Sequence, residues 1–451
     1  MDNLSSTGKF SYGIGALGKD LACGIVYSYL MFYFTDVVGL SPVFVGSLFL
    51  VARLWDSIND PIMGMIVDNT RSKWGKFRPW ILIGTLVNAV ILVLLFTKPN
   101  LEGTPLYVYF AVVYILWGMT YTIMDIPFWS MIPALSRSKE EREKIAVIPR
   151  IFASLGGLLI GSLGLVMVSK LGSGDQLKGY SRFAIIIAVL FIISSLVTVI
   201  NVKDNSASSK NKEKINIKQM INILKNNDQL LVFIGIVLAM NLFSQLIGGM
   251  ALYYFTYVVG NENMFSVFIA FSGIAEMSAL ALFPLFARKI GRKTVFKFAC
   301  VLEVSGLLLL LAAGLFAPQN TLFIIISSII LKLGSGLVLG ASTVMLADIV
   351  DYGEYKLGSR NESIIFSAQT LLVKSASAVS GWLIGIGLAT VGYVPGVAQS
   401  SSTIFGMRVL MIGIPIIAVI LMYTIYKTKY KINGEFHDTI LDNLNTGLEA
   451  S

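Results

Sequence analysis

The sequence predicts an all-α polytopic membrane protein with about twelve transmembrane helices in two six-helix bundles. Three observations predict it. Of the 451 residues 55% are hydrophobic and 14% charged. Long apolar runs recur from one end to the other, and the basic residues gather in alternate loops. A soluble core of this size needs much more polar surface to cover it. Many runs exceed the roughly 20 residues that cross a bilayer as helix. Hydrocarbon offers no hydrogen-bond partners, so spanning segments are helices or closed barrels. These runs are too long and unbroken for barrel strands.

The expected spans are 11–38, 42–67, 79–97, 106–133, 145–170, 180–202, 230–259, 264–287, 294–316, 322–349, 363–391 and 404–426. Arg71, Lys73, Lys76 and Arg78 lie between spans two and three, and Arg137, Lys139, Arg142 and Lys144 between four and five. Lys203, Lys210, Lys212, Lys214, Lys218 and Lys225 fill a long middle segment, in which 215–224 reads as a short amphipathic helix. Arg288, Lys289, Arg292 and Lys293 follow span eight, Lys356 and Arg360 follow span ten, and Lys427, Lys429 and Lys431 open the tail. The other loops are nearly free of Lys and Arg, apart from Lys98 and the 170–182 stretch. The positive-inside rule then predicts a multi-pass protein of the cell membrane with both termini and the middle loop cytoplasmic. The expected organisation is a bundle at 1–202, a middle loop at 203–229, a second bundle at 230–428 and a tail at 429–451.

The net charge of +9 follows this topology, so no nucleic-acid partner is expected; the partner is the lipid bilayer. Cys23 and Cys300 fall in apolar runs and read as small buried hydrophobes. The single histidine, His437, lies in the tail, which argues against zinc or a histidine relay inside the membrane. The first run is too long for a signal peptide. No cofactor and no enzymatic chemistry are expected.

An internal repeat supports two halves. Tyr33-Phe34-Thr35-Asp36-Val37-Val38-Gly39 matches Tyr254-Phe255-Thr256-Tyr257-Val258-Val259-Gly260. Both close an outward-running span, and the basic loops after spans two and eight match at the same offset. Parallel six-span repeats are the plan of major-facilitator transporters.

Ionisable residues within spans cost roughly 2.5–3.5 kcal/mol each on insertion scales, so they usually face an interior cavity and act there. The first half carries Lys19 and Asp20 in span one, Arg53, Asp56 and Asp60 in span two, Asp125 in span four and Arg150 in span five; the second offers Lys374 in span eleven. Asp56 and Asp60 share one helix face at i,i+4, with Arg53 close to it. Carboxylates that near repel unless a cation sits between them, and carboxylate and amide oxygens are what hard cations prefer. Asn59 adds a neutral oxygen. The alternative is a structural ion-pair network with Arg53 and Lys374. The repeat puts Met277 and Ala281 at the matching positions, so the pair is not part of the shared scaffold.

Asp20 and Asp125 each lie roughly 6–8 Å to the cytoplasmic side of their span centres and are expected in one layer. Trp129 follows Asp125 by one turn; Thr122, Tyr121 and Gly118 precede it. Carboxylates that accept from vicinal hydroxyls, beside an indole covering a C–H face, form a sugar site. Trp129 also reads as an interfacial anchor, and Thr122 as bonded to its own backbone. Lys19 is expected to point elsewhere, since helix neighbours diverge by about 100°. Glu276 and Glu303 receive no role. Arg408 is expected to snorkel, and Asp351-Tyr352-Gly353-Glu354 with Arg360 reads as an inner gate or a solvated loop.

Several motifs resemble one family. They are Gly18-Lys19-Asp20, Trp55-Asp56 through Asn59-Asp60-Pro61-Ile62-Met63-Gly64, Trp74-Gly75-Lys76-Phe77-Arg78-Pro79-Trp80, Thr120 through Ser130, Asp351-Tyr352-Gly353-Glu354, and Gln369-Thr370 with Val373-Lys374. Together they resemble the glycoside–pentoside–hexuronide:cation symporters, and within them the melibiose carriers, over essentially the whole chain. The resemblance implies cation coupling at Asp56 and Asp60, with Asn59 and Thr122 nearby and Lys374 close by. It implies principal sugar contacts at Asp20, Asp125 and Arg150, supported by Lys19, Trp129, Thr370 and Val373. It implies a small sugar, an α-galactoside such as melibiose, and a monovalent cation as partners; Na⁺ is expected, with Li⁺ and H⁺ unranked. The family's tryptophan in span ten is Leu339 here, which opens the door to another glycoside. The tail is short for the phosphotransferase-like domain of some relatives, and no cytoplasmic regulator is identified. The rival readings are a proton-coupled exporter, a membrane-embedded enzyme and a channel.

Overall fold

A computed structural model describes residues 4–135, 139–202, 226–358, 362–432, 436, 439–440 and 442–443, with the side chains of 57–58, 61, 68, 133–134, 139–144, 146 and 362–372 excepted. Arg137, the cations of 203–225, the amphipathic stretch 215–224, Arg360 and His437 therefore lie outside the described residues, as do the side chains of Lys139, Arg142, Lys144, Gln369 and Thr370.

Twelve long helical segments follow one another among the described residues. In the first half they are α1 (Ser6–Val38), α2 (Pro42–Asn69), α3 (Arg78–Leu95), α4 (Thr104–Ser130), α5 (Lys139–Gly172) and α6 (Gln176–Asn201). In the second they are α7 (Asp228–Val259), α8 (Asn263–Ile290), α9 (Arg292–Phe316), α10 (Thr321–Leu357), α11 (Glu362–Thr390) and α12 (Ser401–Lys429). Ten are both long and apolar enough to cross a membrane. The 28-residue α2 falls outside that group; it carries Arg53, Asp56 and Asp60 among its described residues.

Local chemistry sets the ends. Side-chain oxygens of Ser5, Asp175, Asn227, Asn320 and Ser400 accept from backbone N–H groups of the first turns of α1, α6, α7, α10 and α12, filling donors that have no partner within the helix. Proline opens α2, α3 and α4, where its missing N–H costs nothing. Asp175 is held below the usual carboxylate range by the N–H of Lys178 and then its ammonium.

The seven-residue repeat has a structural meaning. Tyr33–Val38 and Tyr254–Val259 are both π-helical. Each ends on a left-handed glycine, Gly39 at φ 90° and Gly260 at φ 77°, a conformation glycine adopts without Cβ strain. The N–H of Leu40 closes on the Phe34 carbonyl at 2.8 Å, and Asn261 on Phe255 at 2.9 Å.

The chain forms two compact units, Met1–Asn211 with Leu388–Ala398, and Lys212–Gly387 with Gln399–Ser451. In the first, α1 packs on α5 and α6, α3 on α4 and α6, and α2 on α4. Tyr12, Tyr29, Tyr33, Tyr180, Phe34, Phe96, Phe110 and Phe128 are fully buried there. The hydroxyl of Tyr29 donates to the Ile160 carbonyl at 2.8 Å, as a buried phenol requires. Tyr393 of the short outlying segment donates to the Asp36 carboxylate, which also accepts from Thr35 at 2.6 Å. Two of the cations that break the loop pattern bond carbonyls: Lys98 reaches the Val38 carbonyl at 3.3 Å and Arg182 the Leu171 carbonyl at 2.7 Å. Both bond carbonyls at helix C-terminal ends, where cations are favoured.

In the second unit α10 packs on α8 and α9, and α12 on α7 and α9. Arg292 pairs with Asp348 at 3.0 Å. One expectation is corrected here. The Asp351-Tyr352-Gly353-Glu354 stretch is helix, not loop; α10 runs on to Leu357 because Tyr352 donates to Asp228 at 2.7 Å and Lys356 pairs with the same carboxylate. Arg408 reaches the Gly314 carbonyl at 3.4 Å, a free acceptor at the end of α9.

Close approach of α9 and α10 depends on Gly306, where a Cβ would lie 2.4 Å from the backbone nitrogen of Leu331. Gly306→Val is expected to destabilise by about 1–3 kcal/mol, the usual cost of overpacking. Gly157→Ala, with nothing within 4 Å, is expected to be neutral. Thermal unfolding followed by size-exclusion in detergent checks both.

Candidate functional site

One face of α4 organises the first unit's interior charges. Tyr121, Asp125 and Trp129 recur every four residues and so line up along the helix. Opposite them, α1 presents Lys19 and Asp20. The Lys19 ammonium lies 2.8 Å from Asp125 Oδ1 and 3.1 Å from Asp20 Oδ2. It also sits 5.0 Å from the Trp129 ring centroid and 3.3 Å from the Tyr121 hydroxyl. Trp129 donates its indole N–H to Asp125 Oδ1 at 3.1 Å. Asp20 and Asp125 therefore do share one layer. Lys19, expected to point away, joins them instead. Its long stem lets one cation satisfy two carboxylates, which offsets the cost of burying each.

The exposures show which groups are offered to a ligand. The Lys19 side chain is 5% exposed, while those of Asp20 and Asp125 are 28% and 29%. The cation lies behind and the carboxylates keep an open side. Trp129 holds its indole against them, so it is not an interfacial anchor. Arg150 is exposed on α5 and makes no ion pair with either carboxylate among the described residues.

A second cluster joins α2 to the same helix α4. Arg53 pairs with Asp56 at 2.9 Å and donates to the Tyr27 hydroxyl of α1 at 2.8 Å. Thr122 donates to Asp60 Oδ1 at 3.1 Å, so its hydroxyl serves the carboxylate. Asp56 is buried and lies over Gly118, where a Cβ would stand 3.1 Å from Oδ1. The Asn59 Nδ2 is buried and has no hydrogen-bond partner. A 180° turn of the amide exchanges nitrogen and oxygen and brings an oxygen into that place. Two carboxylates with hydroxyl and amide oxygens suit a hard monovalent cation. A divalent cage is not formed: among the described residues no group of three His, Cys, Asp or Glu side chains comes together.

Thr370, Val373 and Lys374 lie on α11 in the second unit. Val373 and Lys374 are half-buried; the Thr370 side chain lies outside the described residues. The sequence reading missed Lys332 of α10, which pairs with Glu276 of α8 at 2.9 Å. Its signal was available as a lysine inside a long apolar run.

Twelve long helices, interior carboxylates paired with cations, and an inherited repeat define a transporter of the major facilitator fold. Solved structures agree on the fold. The nucleoside transporter NupG superposes with a TM-score of 0.67 at 15% identity, covering 93% of this chain and 99% of that one. A bacterial homolog of the human lysosomal transporter Spinster gives 0.67 at 12% identity, covering 95% and 97%. The profile of the MFS/sugar transport protein family matches residues 11–434, and the chain belongs to that family, the glycoside–pentoside–hexuronide:cation symporters. It is a membrane transporter and not an enzyme. Relatives include the isoprimeverose transporter of Lactiplantibacillus pentosus, 31% identical over 91% of this chain and 85% of that one. The raffinose carrier protein of Pediococcus pentosaceus is 29% identical over 97% and 71%. A lactose permease of Lactobacillus delbrueckii subsp. bulgaricus is 28% identical over 97% and 72%.

Removing the shared cation exposes the repulsion it suppresses. Lys19→Leu is expected to lower stability by about 3–5 kcal/mol, the cost of leaving buried charge unpaired. Lys19→Leu combined with Asp125→Asn is expected to recover part of that loss, read by thermal unfolding of the two proteins in the same detergent.

Proposed function

We propose that this chain couples the entry of a small glycoside to a monovalent cation, Na⁺ first, with an α-galactoside such as melibiose as substrate. The observation that carries the proposal is that both carboxylate clusters meet α4 within one turn. Thr122 holds Asp60 at 3.1 Å, and Asp125 three residues on holds Lys19 at 2.8 Å. A cation seated among Asp56, Asp60, Thr122 and Asn59 relieves carboxylate repulsion and draws the Thr122 turn of α4 toward α2. That fixes the rotamers of Asp125 and Trp129 on the neighbouring turn. Sugar hydroxyls then replace part of the hydrogen bonding that Lys19 gives Asp20 and Asp125, while the indole covers the pyranose C–H face. Cation and sugar raise each other's affinity by the same factor, as linkage requires. Alternating access between the halves completes the cycle.

The relatives named for isoprimeverose, raffinose and lactose support a glycoside, and raffinose itself ends in an α-galactosyl unit. Arg150, Thr370 and Val373 complete the sugar contacts in this reading, and Lys374 the charge network. Leu339, 36% exposed on α10, stands where melibiose carriers place tryptophan and makes the aglycone side of the pocket less selective. The loop charges support a cell-membrane protein with both termini cytoplasmic.

The test is initial uptake of radiolabelled melibiose, raffinose, lactose and isoprimeverose into right-side-out vesicles, with Na⁺, Li⁺ or neither, at two pH values. Saturable, Na⁺-stimulated uptake of the α-galactosides is expected; equal uptake in all three salts would sink the coupling. Asp56→Cys is expected to abolish cation stimulation while sugar still binds weakly. Asp125→Asn is expected to weaken sugar binding by about 10–100-fold, the worth of charge-assisted hydrogen bonds, measured by isothermal titration at saturating Na⁺.

A further inference from the structure

The second unit buries ionisable groups that neither cluster above uses. Glu276 lies at the middle of the 28-residue α8 and Glu303 at the middle of the 25-residue α9. Lys332 is about 16 Å along α10 from its start, at 1.5 Å per residue. Two glycines of α10 bring the three helices together. A Cβ on Gly336 would lie 2.3 Å from the Glu276 carbonyl, and one on Gly334 would lie 2.8 Å from Glu303 Cγ. Charges at mid-depth in a span mark function by default.

The pairing within the group is uneven. Lys332 and Glu276 hold each other at 2.9 Å. Glu303 is 1% exposed, and its Oε2 is buried with no hydrogen-bond partner. The Ser335 hydroxyl of α10, which donates to the Leu331 carbonyl of its own helix at 3.4 Å, stands beside the carboxyl group, and Lys332 and Glu276 are the charges within reach of it. On its own helix the Cys300 thiol lies one turn before it, also buried. The ionisable groups of α12 lie elsewhere along α9. Tyr426 stacks on Phe296 at 4.0 Å, with Lys427 and Lys429 beyond it, and Arg408 bonds Gly314 at the other end.

An ionised carboxylate in this setting costs several kcal/mol, because the one nearby cation is already committed. A larger cation finds one other carboxylate, Glu276, already paired with Lys332, and the surrounding backbone is helical and self-bonded. A proton needs neither. It removes the charge and asks for one acceptor. We propose that Glu303 is a proton-binding site at mid-depth of the second unit, neutral while α8, α9 and α10 are packed and giving its proton to water when they part. Folding then takes up a proton that the separated helices release, so this contribution to stability is present at low pH and lost as the pH rises through the site's titration. The proposal depends on neither the sugar nor the coupling cation of the other unit.

Infrared spectroscopy of the full-length protein in lipid nanodiscs, labelled with ¹³C-glutamate, reads the proton directly. A label-sensitive carbonyl stretch of a protonated acid is expected near pH 7, disappearing at high pH and missing from Glu303→Gln. No such band near pH 7, or a band that Glu303→Gln leaves intact, overturns the proposal. Should Glu303→Gln not fold, the wild-type protein decides. Dicyclohexylcarbodiimide, an apolar reagent that adds to protonated carboxyls in hydrocarbon, is expected to modify Glu303 near pH 7 and to lose that reaction at high pH, as mapped by peptide mass spectrometry. An unmodified Glu303 at both pH values overturns it. Sugar uptake enters none of these readouts, so a failed symport assignment and a failed proton site are told apart.

Discussion

The ammonium of Lys19 is the constraint from which the first unit's interior follows. Two carboxylates on different helices, α1 and α4, meet on one cation. Without it, Asp20 and Asp125 repel across the interior gap between the two helices. With it, α1 and α4 have a fixed rotational setting. Trp129 and Tyr121 take their places around the same ammonium, and Thr122, next along the helix, is aimed at Asp60 on α2. Three helices thus acquire their mutual register from charge neutralisation as well as from aromatic packing. A pair of charges shared three ways is also easily rearranged, since each partner has another to fall back on.

The two units solve the same problem differently. In the first, cations and anions form an open arrangement whose carboxylates retain about a quarter of their surface. In the second, Arg292 with Asp348 and Lys356 with Asp228 pin helix ends together, and Glu303, whose Oε2 is buried without a hydrogen-bond partner, is an acid with a neutral form within reach. Lysine and arginine at equal depth have partners: Lys332 has Glu276, and Arg53 has Asp56 and Tyr27. The asymmetry agrees with the repeat, where Met277 and Ala281 stand at the places of Asp56 and Asp60.

The fold was legible because a bilayer imposes it. Twenty apolar residues in a row leave one answer, although the expected starts at 180 and 322 fall short of the caps at Asp175 and Asn320. Within the site, periodicity found the face Tyr121–Asp125–Trp129 and the pair Asp56–Asp60, since both depend only on spacing along one helix. What spacing does not carry is reach. Lys19 was assigned elsewhere because Cα directions were treated as side-chain directions, although four methylenes swing an ammonium by several ångströms. Lys332 stood in plain view as a lysine inside an apolar run, but its partner Glu276 belongs to another helix, which spacing does not show.

The paired π-helical turns at Tyr33–Val38 and Tyr254–Val259 carry a consequence for the history of the chain. A π turn holds one residue more than the α turn it replaces, so each marks an insertion. The same insertion, closed by the same left-handed glycine, stands at the same place in both halves. The simplest history puts it in a single six-helix ancestor, before the gene doubled. The carboxylates of α2 occur in one half alone, so the turned corners belong to what the halves share and the cation chemistry to what separates them.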